Sequence, residues 1–470
     1  MRITTSAAID PVWAWQPYRP TPQEPWDLKK VGHLFRRAAF GSTRSEQERA
    51  LAEGPEKSLD RLLAGGAGLA DFDRQVEQMA SHLAEANDDE PMRAWWLYVM
   101  LRTPHPLREK LTLFWHNHFA TSNAKVNNVA YMLQQNALFR RHALGNFRTL
   151  LQEVSKDPAM LVWLDTVQSK KGQPNENYAR ELMELFSLGI GHYTEHDIRE
   201  AARAFTGWEI RRDRFFFNAS QHDKTVKKVF GKSGPFTGEQ IVDLCLELTA
   251  APRFIVRKLC RYFISETLEF GDDLIAPLAT EFKQTGFDVG QVVERMLRSN
   301  LFFSAHAYRA RVKSPTTFIL GILRGLEANV GTVGVAQLSE NLGQKLFYPP
   351  SVKGWDGGAA WLNSTTLLLR QNAALALTST EDNRFGRRCD PYALAQKHQV
   401  PDEDEAQVTF FLKLFLQEDV PSATRQALLD YARTSRTLVY PVYWTSADRA
   451  AHRLRTLCYL VLTQPEFQLE

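Results

Sequence analysis

Cysteine is scarce in this chain of 470 residues: Cys245, Cys260, Cys389 and Cys458 stand far apart, with no CxxC, no CxxCH and no finger-like pairing. That spacing gives no signature for structural zinc, covalent haem or an iron–sulfur cluster, and reads as four buried thiols. Long apolar runs are missing too. No stretch approaches the roughly 18 residues needed to span a bilayer, and MRITTSAAIDPVWAWQPYRP at the start lacks the run of about 7 to 15 apolar residues of an export signal. A soluble, cytoplasmic protein is therefore expected. Net charge is small, since 57 Lys and Arg against 54 Asp and Glu leave +3. With no basic tail, that balance argues against a protein held on nucleic acid by overall charge and leaves room only for a local patch. The GxSxG elbow is absent around Ser187, Ser220 and Ser351, and GKSG at 231–234 lacks the leading glycine of a phosphate loop, so neither covalent catalysis nor nucleotide binding is signalled.

Strand signals are sparse as well, and helical periodicity fills most of the chain. Residues 1–27 hold Pro11, Pro17, Pro20, Pro22 and Pro25 with Trp13, Trp15 and Trp26, which predicts an extended arm pinned by its tryptophans. Asp27 then caps a helix with Leu28, Val31, Leu34, Phe35 and Ala38 inward, stopped at Gly41. A main helical domain is expected over 28–378, a polar linker or surface excursion over 379–405, and C-terminal helices packed on the body over 406–470. The clearest strand is 214–218, with Phe215, Phe216 and Phe217; a partner is placed at 227–230, with SQHDKT between them carrying His222 and Asp223. The expected fold is all-α, a large helical body with one small β-hairpin.

Residues 175–208, NENYARELMELFSLGIGHYTEHDIREAARAFTGW, concentrate ordered polar chemistry. Tyr178, Leu182, Leu185 and Phe186 recur at helical spacing, and Gly189 and Gly191 end that helix. Asn177, Glu181 and Glu184 stand at i, i+4 and i+7, lining one side beside Arg180. Thr194 and Asp197 resemble a capping box that opens a second helix bearing Arg199 and Arg203, closed by Gly207. The same charges also suit a plain salt-bridge ladder.

Taken with FWHNHFATSN at 114–123, QHDKTVKKVFG at 221–231 and YPPSVKGWDGGAAWL at 348–362, in that order, the motif makes the chain resemble the bacterial domain-of-unknown-function family 1800. The resemblance implies a mostly helical protein, often encoded beside a second uncharacterised family that carries an export signal. It supplies no established reaction and no catalytic residue. Many of the family's members carry signal peptides, from which this chain departs.

Seven of the twelve histidines fall between His105 and His222, in a window shared with Glu181, Glu184, Glu195, Asp197 and Asp223. Imidazole with carboxylate is the ligand set of zinc, manganese or iron, although HExxH and the ferritin-like Glu-x-x-His pair are absent. One reading is a metal-dependent hydrolase or related enzyme. His116, His118, His222 and Asp223 would hold a divalent metal; Glu181, Glu184, Arg180 and Arg203 would be catalytic; Asn177, Trp355 and Tyr348 would bind substrate. A metal-bound water with its pKa lowered to about 7 supplies a nucleophile where no serine or cysteine does. Against it, one imidazole of the HNH run can cap carbonyls, and Trp355 can plug the body. The rival is a noncatalytic binding or assembly protein whose polar motif is structural and whose partner is the neighbouring gene's product.

Overall fold

The computed structural model describes residues 4–5, 9–379, 381–382, 384–385 and 388–470, with backbone alone for 4–5. Residues 1–3, 6–8, 380, 383, 386 and 387, parts of the expected arm and linker, lie outside the described residues. The chain is mainly helical, and its sheet structure among the described residues is three two-stranded pairings. Polar residues set many helix starts. Asp27 accepts from the Lys30 N–H, Asp157 from Met160, and Thr43 with Glu46, Thr194 with Asp197 and Thr445 with Asp448 form reciprocal capping boxes. Each such cap contributes about 0.5–2 kcal/mol.

The apolar residues gather into two large cores. The first joins helices Leu28–Ala38, Phe147–Ser155, Glu195–Ala204, Gly238–Glu247, Ala250–Phe263, Asp272–Gln284 and Val289–Arg298. The second joins Asp89–Arg102, Pro315–Gly325, Thr332–Asn341, Asp404–Leu416 and Ser446–Leu462. Helix Pro106–His118 lies between them: Leu107, Leu111 and Trp115 enter the first core and Leu113 the second. Because both sides of this helix are covered, Glu109, Lys110, Thr112, His116 and His118 are buried as well.

Within residues 1–27 a short helix, Pro11–Trp15, starts at Asp10, where an extended arm was expected. Proline at the first helical position needs no N–H partner, which is why the proline-rich segment can still turn once. Trp15 is buried with its indole N–H on the Leu274 carbonyl, Trp26 donates to the Ala50 carbonyl, and Trp13 is exposed. Of residues 379–405, Phe385, Cys389, Leu394 and Ala395 enter the second core. No described helix is long and apolar enough to cross a membrane.

The expected hairpin is replaced by two. Arg214–Phe217 pairs antiparallel with Trp208–Arg211, and Lys227–Val229 with Lys232–Gly234. Each is closed by two residues at positive φ, Arg212 with Asp213 and Phe230 with Gly231, the geometry of the tight turns that match strand twist. These local turns win over closure through SQHDKT. That segment instead folds back on Gly207, whose N–H bonds the Ser169 carbonyl and whose carbonyl accepts from Asn218. Gly207 has φ +83°, and a Cβ there would sit 2.5 Å from the Asn218 carbonyl oxygen. Gly207→Ala should therefore lower stability by about 1–3 kcal/mol, read as the denaturant midpoint. An unchanged midpoint would show that this backbone crossing can relax freely.

Candidate functional site

Residues 175–208 begin with helix Asn177–Glu181, which passes directly into a π-helix, Leu182–Ser187. The wider turn was not visible in the periodicity, and such turns recur at functional sites. It ends with the Leu188 and Gly189 N–H groups both on the Met183 carbonyl at 3.0 Å, leaving the Leu185 and Phe186 carbonyls without helical donors. Side chains from other helices complete them. His118 donates from Nε2 to the Phe186 carbonyl at 3.1 Å, and Lys258 Nζ donates to the Leu185 carbonyl at 3.1 Å and to His118 Nδ1 at 3.0 Å. Both ring nitrogens of His118 are thereby used, and burial followed by the Lys258 charge holds the imidazole neutral. Burial also lowers the Lys258 ammonium to about 8. Sequence reasoning missed Lys258. The available signal was its place between Phe254 and Tyr262 at steps of four, since both rings pack on helix Pro106–His118.

The charges of the motif are mostly paired among themselves. Arg180 grips Glu195 with two bonds of 2.8 Å and reaches Glu176 at 3.3 Å, which raises its pKa. Asn177 donates to Asp165 at 3.3 Å, and Glu184 accepts the Tyr193 hydroxyl at 2.9 Å. Arg203 joins Asp223 at 2.8 Å, Glu200 through two bonds of 2.8 and 2.9 Å, Thr225, and the Val226 carbonyl. Asp197 closes its capping box and accepts the Phe230 N–H at 2.7 Å, tying the second hairpin to the helix. Among the motif's carboxylates Glu181 is the exception. Half-buried, it accepts no hydrogen bond, and burial followed by the Glu184 charge raises its pKa.

The expected metal ligands do not converge. His116 Nε2 accepts the Phe347 N–H at 3.2 Å, and burial lowers its pKa to about 3. His118 serves the π-helix as described. His222, 5% exposed, donates from Nδ1 to the Thr206 carbonyl at 2.9 Å, and Asp223 is held by Arg203 and Thr225. Among the described residues no group of three or more His, Cys, Asp or Glu could hold a metal ion. His116 Nε2 is taken by a backbone N–H, both ring nitrogens of His118 by Lys258 and a backbone carbonyl, and Asp223 by Arg203, so the four residues do not form one centre as placed. Trp355 is also packed away, 5.7 Å ring to ring from His116 and grouped with Val312 and Trp361. Its N–H lies on Asn117 Oδ1, and Gly354 beside it has φ +79° where a Cβ would collide with Asn117. Tyr348 accepts from Asn123 with the Lys345 ammonium over its ring.

Two carboxylates here carry opposite pH signatures. Glu181 is raised, so the folded state binds its proton more tightly and the charge costs stability above the ordinary carboxylate range. Asp223 loses solvation by burial, yet Arg203 and Thr225 hold its pKa below the ordinary value, so its contribution is present above about pH 4 and lost on acidification. In thermal melts at pH 7, Glu181→Gln should hold or raise Tm and Asp223→Asn should lower it, both differences shrinking toward pH 3. A Glu181→Gln protein that melts earlier at pH 7 would mean a partner for this carboxylate.

The family model described as protein of unknown function (DUF1800) matches residues 33–469. No curated protein and no solved structure matches the chain.

Proposed function

We propose, for a chain that belongs to this family of proteins of unknown function, that it is a binding or assembly protein whose polar motif is a structural brace. The observation that carries this reading is an apolar knob at residues 437–445, between helices Ser422–Ser435 and Ser446–Leu462. Val439 is 100% exposed, Val442 98% and Tyr443 83%, with Leu438 beside them. The segment is held from beneath. Tyr440 stacks on Trp444 at 5.5 Å, both rings lie against His452, and the Tyr440 hydroxyl bonds the Ser435 carbonyl at 2.8 Å. Apolar side chains displayed on a braced support favour association, because less conformational freedom is lost on docking.

The partner we assign is the neighbouring gene's product, presenting an apolar groove. Co-expression with that protein and affinity capture test the assignment. Val439→Glu with Val442→Glu should lower capture at least tenfold and leave Tm nearly unchanged, since both side chains are already in water. Undiminished capture would remove the knob from the interface, and binding of the purified chain to lipid vesicles through the same residues would replace the protein partner by a membrane.

Glu181 favours a second reading. An unpaired, half-buried carboxylate with a raised pKa suits general acid–base catalysis, with Glu184 alongside. On a panel of ester, amide and phosphoester substrates, Glu181→Gln would then lower kcat/KM about 100-fold or more at unchanged fold. Equal rates for the two proteins across the panel would eliminate it.

A further inference from the structure

Buried charge elsewhere in the molecule is strongly one-sided. Arg36, Arg37, Lys110 and Lys313 are buried, as is Arg370, and Arg311 is nearly so. The side-chain carboxylates among them are Glu470, bonded to Arg311 at 3.2 Å and Lys110 at 3.5 Å, and Glu266, bonded to Arg311 at 3.0 Å. Six cations face two carboxylates, and a backbone carboxylate on Glu470 would make only three. Guanidinium groups cannot give up their charge, so the excess must be met by another anion or by deprotonated lysines.

The donors are also incompletely used. Arg36 Nη1 reaches Gln417 and its guanidinium lies 5.6 Å from the Tyr308 ring, but its Nε and Nη2 make no hydrogen bond; Arg37 Nε and Nη1, Arg311 Nε and Arg370 Nε likewise make none. Lys313 Nζ makes no hydrogen bond and sits 3.4 Å above the Phe467 ring. Arg36 and Lys313 both line a cavity of about 30 Å³, with Ser42, Thr317 and Gln417 around it and Glu470 on its wall. Ser42 Oγ accepts from Gln47, so its own proton is free to donate. Gly32 leaves the space that the Gln417 side chain fills, since a Cβ there would lie 2.3 Å from it.

We propose that this chamber is a binding site for one small inorganic oxyanion, phosphate or sulfate, held by Arg36, Lys313 and Ser42. The volume is about twice the 10–15 Å³ that one water requires, which suits a single compact ion and excludes a nucleotide. Doubly charged oxyanions accept several charge-assisted bonds at once, matching a guanidinium edge, an ammonium and a hydroxyl around one space. The Glu470 carboxylate on the wall is already neutralised by Lys110 and Arg311. Without the anion, burial and then the Arg36 charge drive the Lys313 ammonium well below its ordinary pKa, so binding should take up a proton.

Calorimetric titration of the full chain with inorganic phosphate, and melting curves in phosphate against chloride at matched ionic strength, test the assignment. One ion per chain and a Tm that climbs with the logarithm of phosphate concentration are expected. Lys313→Met keeps the stem over Phe467; it should weaken phosphate at least tenfold and melt higher than the parent in phosphate-free buffer. Should that variant fail to fold, Ser42→Ala, which leaves every charge in place, should weaken phosphate severalfold. An equal Tm rise in parent and variant would mean general exclusion of phosphate from the surface, and absence of binding heat would leave a protein-only network; either overturns the site. Chloride displacing phosphate at equal concentration would overturn the oxyanion selectivity.

Discussion

Helix Pro106–His118 is covered along most of its surface, yet it carries buried Glu109, Lys110, His116 and His118 and a partly buried Asn117, and much of the structure follows from satisfying them. Each is met by a different distant segment. Glu109 takes two bonds from Arg140 and one from the Trp96 indole, Lys110 meets Glu470, His116 takes the Phe347 N–H, Asn117 the Trp355 N–H, and His118 caps the π-helix. An unpaired buried charge costs about 3–5 kcal/mol, comparable with a large part of a protein's net stability. The helix can therefore occupy its place only when all these segments have arrived. The run FWHNHF is less a ligand motif than the polar axle on which both cores are assembled.

That constraint explains what could be read from the sequence. Helix starts at Asp27 and at Thr194, which opens the second helix of the motif, were legible because a cap and its N–H partner lie within three residues. The all-helical class was legible for the same local reason. Partners were not: His116 meets Phe347 across 231 positions and Lys110 meets Glu470 across 360, and nothing in either neighbourhood names the other. Histidine with carboxylate in one window is equally compatible with a metal and with backbone capping. The choice depends on which carbonyls and N–H groups arrive at the imidazoles, a property of the fold alone. The hairpin went astray in a related way, because the three phenylalanines marked a strand correctly but two-residue turns at Arg212–Asp213 and Phe230–Gly231 chose its partners.

The π-helix shows how one local irregularity propagates. Its wider turn frees the Leu185 and Phe186 carbonyls, and Lys258 and His118 complete them from two other helices. The motif is thus fastened to helices Pro106–His118 and Ala250–Phe263 through its backbone, which leaves its acidic side chains to other tasks. Arg180 and Arg203 spend theirs bracing the second helix and the SQHDKT segment. Glu181 alone is left unspent, and a carboxylate that a dense polar network surrounds without pairing is where a chemical role would be sought.

The near-neutral composition conceals a strong separation of charge. Surface lysines and arginines pair with neighbouring acids in contacts worth at most about 1 kcal/mol each, and their sum decides little. The decisive charges are the few beneath, where Glu109 with Arg140 forms a closed pair while Arg36, Arg37, Arg311 and Arg370 outnumber the acids within reach. A core built only for stability would replace such groups by hydrocarbon of similar volume, often without loss. Retaining four guanidinium groups with unpaired N–H donors, one of which, Arg36, lines a small cavity beside Lys313 and under a glycine that admits Gln417, is hard to reconcile with packing alone and is the ground on which we place an anion there.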